Sequence, residues 1–481
     1  MPHRHLRLGA PRASTADGVQ QALLDRFAAI RTELDVPAEY PADALAEAAA
    51  AAVGPAGAPD RDATDVPFLT LDPAGSLDLD QAMCLSRDGA GYRVRYAITD
   101  LTCVVRPGGP LDAETRRRGQ TIYCPDERVP LHPVSLSEGA ASLAPGQVRP
   151  AYVWDLRLGA DGELTATDLY RALVRSVDRL DYESVQGALD AGTDDERYLL
   201  LREIGRLRVR QEQLRGGASL PMPEQEAFED AEGRVVLHVR PPREVEEWNA
   251  QLSLLTGMAA ADLMLHAEVG ILRTMPEPDP AAVRRFRRQA GALGASWPAE
   301  QAYGDFIRGL DRRDPRHLAL IHAATALFRG AGYTPFDGAV PEQVGHAAVA
   351  DAYAHVTAPL RRLVDRFGLA VCEAVASGGG VPSWVRVALP QLPAIMAESD
   401  RRARAVERAS HDAVEAAILG SHIGHSYRAV VVDTQEKGVV VQFVDLPIVA
   451  LATGGAPLGE TVTVRVGSAD VTTGRIGLTL A

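Results

Sequence analysis

The sequence predicts an α+β protein in three parts: a short helical N-terminal module (residues 1–60), a large domain with a mixed sheet and surrounding helices (61–418), and a small OB-type β-barrel (419–481). Three observations carry this reading. Apolar residues near the N-terminus recur at helical spacing, the stretch after residue 61 alternates with period two before turning helical, and the last 60 or so residues hold five short β-type runs.

In the first module Val19, Leu23, Phe27, Ile30 and Leu34 fall at spacings of four and three, one face of a helix. Pro37 and Pro41 end that element, the alanine-rich stretch from Ala44 to Val53 reads as a second helix, and Gly54 to Pro59 reads as a linker. The pair is expected to form a cap on the next domain, with a helix-turn-helix as the other arrangement and no legible recognition pattern. The large domain opens with FLTLD, YRVRYAITDL, AYVWDLRL and ELTATDLYRALV, each alternating as a strand does. Helices are expected at Val185–Leu189, Thr193–Leu214, Trp248–Leu265, Ala281–Leu293, His317–Phe328, Pro359–Ala376 and Gln391–Leu419. The tail runs His425–Asp433, Val439–Val444, Ile448–Ala452, Thr461–Val466 and Arg475–Leu480 are separated by glycine-bearing turns, and five strands in that length fit a small barrel.

Composition bounds the function. The chain carries 50 Lys+Arg against 64 Asp+Glu, a net charge of −14, which argues against a protein that coats nucleic-acid duplexes through a basic domain. The basic residues are nearly all arginine, Lys437 being the one lysine. Cys84, Cys103, Cys124 and Cys372 show no C-x-x-C pairing, against a disulfide framework or structural zinc. With no apolar h-region at the start and no apolar run of about 18 residues, a cytoplasmic protein with no membrane span is expected.

The densest chemistry lies between Phe68 and Ala82. A strand runs into Asp72, a Pro/Gly turn follows, and Asp78 and Asp80 come at spacing two. In an extended run those two carboxylates share a face, with Leu77 and Leu79 pointing into the core. Three such carboxylates repel one another unless a hard divalent cation sits among them. On spacing alone, an acidic surface turn stays open beside the cation site.

The string Thr70-Leu71-Asp72-x(5)-Asp78-Leu79-Asp80-x-Ala82 resembles the metal-binding signature of the RNase II/RNase R (RNB) exoribonuclease family. The resemblance continues in order. Ala97-Ile98-Thr99-Asp100 is similar to the family's A-I-A-D strand, and Thr121-Ile122-Tyr123-Cys124-Pro125 with Pro130-Leu131-His132-Pro133 resembles T-x-Y-x-P…P-M-L-P. Leu136 to Pro145 resembles L-S-x-G-x-x-S-L-x-P, and Arg215-Gly216 with Pro223-Glu224 fits the R-G…P-E element. Tyr353 to Arg362 resembles Y-x-H-F-T-S-P-I-R-R, and Ala405-Val406-Glu407-Arg408 matches the late A-x-E-R helix. Together the matches cover roughly residues 65–415. The tail after His425 resembles an S1-type barrel. Only about 60 residues precede the first motif, too few for the two cold-shock barrels of the well-known bacterial members.

The resemblance implies a processive 3′-to-5′ exoribonuclease that hydrolyses single-stranded RNA to nucleoside 5′-monophosphates, expected to be a monomer. Asp72, Asp78 and Asp80 are implied as ligands of Mg²⁺, with Mn²⁺ as a substitute ion. Asp78, Asp80 and Arg361 are implied as the catalytic set, Arg361 holding the scissile phosphate with a fork that matches two oxygens. Tyr123 is implied to stack on the 3′-terminal base, Arg362 to assist with RNA, and Glu407 to accept a hydrogen bond from a ribose hydroxyl. Other readings stay open: Tyr123 as a core aromatic, the two arginines as caps of a helix starting near Pro359, Glu407 paired with neighbouring arginines, and His355 as packing.

Two departures stand out. The family signature ends D-x-D-D, and here Gln81 replaces the last aspartate; an amide offers an oxygen but no charge. The alternative is therefore a catalytically impaired homologue that binds RNA without turnover, unless Asp100 or a phosphate oxygen compensates. If Gln81 is a weakened ligand, Gln81→Asp is expected to raise activity or metal affinity. The second departure, Leu252 to Gly257 in place of an E-x-M-x-x-A-N helix, reads as helix repacking. Arg284, Arg287 and Arg288 share a helical face and form an electrostatic patch, read as a solvated face.

Overall fold

The computed structural model describes residues 6–9, 18–54, 56–220, 222–229, 234–312 and 314–481, so part of the first module lies outside the described residues. The module contains strand β1 (Leu6–Leu8) and helices α1 (Val19–Glu33) and α2 (Ala42–Val53). Helix α1 buries Leu23, Phe27 and Ile30, the middle of the expected apolar stripe.

The large domain begins as a closed barrel. Strands β2 (Phe68–Asp72), β3 (Gln81–Asp88) and β4 (Gly91–Thr99) are followed by helix α3 (Pro110–Arg118) and the two-residue strands β5 (Ile122–Tyr123) and β6 (Arg128–Val129). The long strands β7 (Val148–Leu158) and β8 (Leu164–Asp181) complete it in the order β2–β3–β4–β7–β8. Strand β2 runs parallel to β8 and the other pairs are antiparallel, so the sheet is mixed, as expected, and also closes on itself. Period two sorts the strands cleanly. Tyr96, Ile98, Tyr152, Trp154 and Leu156 pack with the helices, while Ala97, Ala151 and Val153 join a second cluster with Phe68 and Leu143.

Helices then wrap one face: α4 (Tyr182–Asp190), α5 (Glu196–Arg215) and, after the hairpin β9 (Glu224–Glu229) and β10 (Val235–Arg240), α6 (Glu244–His266). Strand β11 (Val269–Thr274) precedes α7 (Pro280–Ala292), α8 (Tyr303–Arg308) and α9 (Pro315–Ala324), and β12 (Gly332–Asp337) pairs back onto β11. The short strands β13 (Gly345–His346) and β14 (Asp351–Ala352) lead to α10 (Leu363–Ala376), α11 (Ser383–Ala388) and the 29-residue α12 (Leu392–Gly420). Gly257 of α6 lies against the segment after β14, since a Cβ there would stand 2.1 Å from the Tyr353 ring. That contact gives a physical reason for the altered Leu252 to Gly257 segment.

Three expectations need correction. The helix expected from Pro359 begins at Leu363; residues 358–362 form a turn, held by the Ala358 N–H donating to the Asp365 carboxylate at 2.7 Å. Leu77 is 46% exposed, because residues 76–80 form no strand and only Leu79 turns inward. The solvated face expected of α7 holds for Arg284 and Arg288, which are exposed, but not for Arg287, which stacks on Trp297 and donates to the carbonyls of Trp297, Pro298 and Ala299.

The C-terminal strands β15 (Ser426–Gln435), β16 (Gly438–Phe443), β17 (Val449–Thr453), β18 (Thr461–Asp470) and β19 (Arg475–Leu480) close in the order β15–β16–β17–β19–β18. The barrel does not stand apart. Its Val441 and Phe443 belong to one apolar cluster with Val414 and Ile418 of α12 and Leu23 and Phe27 of α1. All four cysteines are buried free thiols.

Candidate active site

Four pieces of chain converge at the end of the first barrel. Strand β2 delivers Asp72 at its last residue, and the irregular segment behind it delivers Asp78 and Asp80. Residues 119–121 then pair with residues 361–363 as a short antiparallel ladder. The Thr121 N–H donates to the Arg361 carbonyl at 2.9 Å and the Leu363 N–H to the Gly119 carbonyl at 3.0 Å. Gly119 holds φ at 73°, a left-handed conformation that ends α3 and turns the chain into this ladder. Tyr123 follows two residues later, and Arg361 therefore sits beside it.

The acidic segment is tied to the arginine turn directly. Asp80 is buried; one carboxylate oxygen accepts from the Leu360 N–H at 2.7 Å and the other stands 3.9 Å from Arg361 Nε. Burial raises the Asp80 carboxyl well above the usual range, opposed by Arg361 and by the Leu360 N–H. Asp72 is pushed up to about 6, chiefly by burial and also by Asp78, with Arg361 opposing. Asp78 is neutralised differently, through an ion pair with Arg128, which also pairs with Glu138.

Arg361 and Arg362 have opposite environments. The Arg361 side chain is 45% exposed, with the long contact to Asp80. Arg362 turns inward and gives Nε and Nη2 to the two oxygens of Asp365, whose side chain is 0% exposed. Its fork is occupied by that carboxylate, which also accepts the Ala358 N–H, so Arg362 shapes the turn. Tyr123 presents a ring that is 46% exposed, against the core-aromatic reading. Its hydroxyl is pushed up to about 12, first by burial at that end and then by Asp78 and Asp80, with Arg361 opposing. Glu407 lies half-buried on α12, the helix that packs on β5; its neighbour Val406 shares an apolar cluster with Ile122.

Two residues weighed as substitutes for the missing acid are engaged elsewhere. Gln81 donates from Nε2 to the Thr357 carbonyl at 2.7 Å, and its Oε1 accepts from the Tyr96 hydroxyl. Asp100 caps a short 3₁₀ turn by accepting from the Thr102 N–H, and its other oxygen pairs with Arg171 at 2.6 Å. His355 is bonded to the Tyr333 hydroxyl at 2.7 Å, consistent with packing.

Among the described residues, no three of His, Cys, Asp and Glu are arranged to cage a metal ion unaided. The donor set still fits a hard divalent cation in kind. Magnesium is ordinarily bound by one or two carboxylates together with substrate phosphates and water, and Asp78 and Arg361 each act electrostatically on both Asp72 and Asp80.

Sequence reasoning missed Arg128, Asp365 and His132. The first lies five residues after Tyr123, the second three after Arg362, and both could have been sought as countercharges to the acids and arginines nearby. His132 gave no signal; its Nδ1 lies 3.0 Å from the carbonyl of Leu360, the residue whose N–H serves Asp80.

Comparison with known proteins gives two family matches: an RNB domain over residues 60–371 and an RNase II-type exonuclease C-terminal S1 domain over residues 425–481. Ribonuclease R of Escherichia coli (strain K12) is 31% identical over 324 residues, spanning 63% of this chain and 39% of the relative. The chain thus covers less than two thirds of that relative's length. Among solved structures, Mycoplasma genitalium RNase R in complex with ribose-methylated single-stranded RNA superposes with a TM-score of 0.84 at 18% identity, covering 96% of this chain and 78% of that one. Yeast Ssd1, a pseudonuclease, superposes with a TM-score of 0.68 at 17% identity, covering 83% and 52%.

Proposed function

The chain belongs to the RNB family, and from that premise we propose that it is a processive 3′-to-5′ exoribonuclease, hydrolysing single-stranded RNA to nucleoside 5′-monophosphates. RNB exoribonucleases are metal-dependent hydrolases. In this reading Asp72, Asp78 and Asp80 hold Mg²⁺, or Mn²⁺ in its place. When bound, the cation supplies an activated water and neutralises charge on the scissile phosphate.

The chain's own residues do the rest. Arg361, half-exposed and held among the described residues only by its long contact to Asp80, takes the phosphate oxygens and stabilises charge that builds in the transition state. Tyr123 stacks its exposed ring on the terminal base, a sequence-tolerant contact suited to an enzyme that must accept every nucleotide. Glu407 accepts from a ribose hydroxyl, which selects RNA over DNA. Arg362 acts on RNA only through the turn that it and Asp365 hold.

The observation that carries this reading is the Leu360 N–H donating to Asp80 at 2.7 Å. It fixes the acidic segment against the turn bearing Arg361, so the groups for cation and phosphate share one frame. The test is incubation with 5′-labelled single-stranded RNA in Mg²⁺, in Mn²⁺ and in chelator. A metal-dependent collapse to a short limit product supports the exonuclease; intact RNA with a clear gel shift overturns it.

Gln81 favours a second reading, an RNA-binding homologue without turnover. The amide brings no charge, and both its ends are engaged, by the Thr357 carbonyl and the Tyr96 hydroxyl. The fold is shared by ribonuclease and pseudonuclease alike, so release of mononucleotides decides between the two.

A further inference from the structure

The N-terminal module makes several contacts with the segment that carries Tyr123, and one of them is a shielded ion pair. Strands β5 and β6 form a hairpin closed by a turn at residues 124–127, where the Cys124 N–H donates to the Glu127 carbonyl at 2.8 Å. Alternation along β5 sends Ile122 into the apolar cluster shared with α1 and α12, and leaves Tyr123 on the opposite face. A two-residue ladder is too short to hold its own register, and its position is set from outside.

Much of that outside support comes from the first 40 residues. Arg31, near the end of α1, gives Nη1 to both oxygens of Asp126 at 2.8 and 2.9 Å, and its Nε stands 2.9 Å from Glu127. The Arg31 and Asp126 side chains are 17% and 12% exposed, so the pair is shielded from water. The Leu8 N–H donates to the Pro125 carbonyl at 2.8 Å, and the Tyr40 hydroxyl to the Pro130 carbonyl at 2.6 Å. Without Arg31 the turn would carry two adjacent carboxylates with no cation from α1, and like charges would push it off the helix.

We propose that Arg31 is a positioning residue for the terminal base: by clamping Asp126 and Glu127 from α1, it fixes the β5–β6 hairpin so that the Tyr123 ring stands at stacking distance beside Arg361. The N-terminal module is then a brace for the stacking platform rather than a second RNA-binding domain. This rests on the stacking role given to Tyr123 above.

A double-mutant cycle tests it, with binding read in chelator on single-stranded RNA whose last base is 2-aminopurine, a fluorophore quenched on stacking. Arg31→Ala is expected to weaken binding about tenfold and to relieve the quench. On a Tyr123→Ala background it should change affinity less than twofold, because the platform is already gone. In turnover the same variant raises KM more than it lowers kcat, and Arg31→Lys recovers part of the loss. Equal weakening on both backgrounds, or unchanged affinity and quench, overturns the proposal. If Tyr123→Ala alone changes neither reading, the stacking role itself has failed and the proposal falls with it, an outcome visible from that single variant. Should Arg31→Ala not fold, Asp126→Asn with Glu127→Gln runs the same cycle from the other side of the pair, with the same criteria.

Discussion

Gln81 spans two elements: its Nε2 donates to the Thr357 carbonyl at 2.7 Å while its Oε1 accepts from the Tyr96 hydroxyl. The amide joins β3 and β4 to the segment that leads into the Arg361 turn. A carboxylate in its place could still accept from Tyr96 but could not donate to Thr357, and an aspartate is also one methylene short. Restoring the family's acid by Gln81→Asp is therefore expected to cost about 1–3 kcal/mol of stability with no gain in rate. Urea unfolding and a nuclease assay check this together. A faster, equally stable variant would return Gln81 to the role of a weakened ligand.

Asp80→Asn separates chemistry from architecture. Asparagine keeps an oxygen for the Leu360 N–H, so the acidic segment and the Arg361 turn stay joined, but it brings no charge to a cation. Hydrolysis is expected to fall by a factor on the order of 10³ or more, in line with the loss of a group acting directly on developing charge. RNA affinity in a gel shift should change little. Lost affinity with retained rate would remove Asp80 from the catalytic set.

The neighbouring arginines make a matched pair of experiments. Arg361 is half in solvent and 3.9 Å from Asp80, a contact worth about 0–1 kcal/mol at most. Arg361→Ala should leave the melting transition in place and cut the rate roughly 10²–10³-fold. Arg362→Ala instead strands the fully buried Asp365 carboxylate, and breaking such a pair costs about 3–5 kcal/mol. Calorimetry on the two variants should therefore separate them. Comparable melting temperatures would mean that Arg362 does not hold the turn.

How far the sequence reached depended on whether a feature was local. Alternation in YRVRYAITDL and AYVWDLRL was strong because each residue reports its own face, and β4 and β7 follow it. The pairing of β1 with β9 was out of reach, since three residues, LRL, find their partner more than two hundred positions later. The two-residue strands β5 and β6 carry no period at all, although they hold Tyr123. The site residues were legible by motif, but not their orientations. Nothing in R-R-L-V-D says that the first arginine faces out and the second turns back onto Asp365. The same holds for Gln81, whose residue type allowed a metal ligand and whose position makes it a strut.

The last prediction concerns pH and Leu360, whose two backbone polar groups are both held. Its N–H serves Asp80 and its carbonyl accepts from His132 Nδ1 at 3.0 Å. His132 is buried, and burial lowers its pKa from 6.5 to about 4, with Arg366 and Arg118 pushing the same way. The folded state therefore keeps the ring neutral where the unfolded chain would already bind a proton. The stability this represents is fully present above pH 6.5 and is lost as pH falls through the window from 6.5 to about 4. At about 1.4 kcal/mol per pKa unit it amounts to roughly 3 kcal/mol. His132→Asn keeps a donor near the Nδ1 position and removes the titration. Urea midpoints measured between pH 7.5 and 4.5 should fall more steeply for the parent protein than for the variant, by about 2–3 kcal/mol over the range. His346 and His355, also lowered by burial, titrate in both proteins and cancel from the difference. Parallel pH profiles would show that His132 is not held neutral beneath the Asp80 tie.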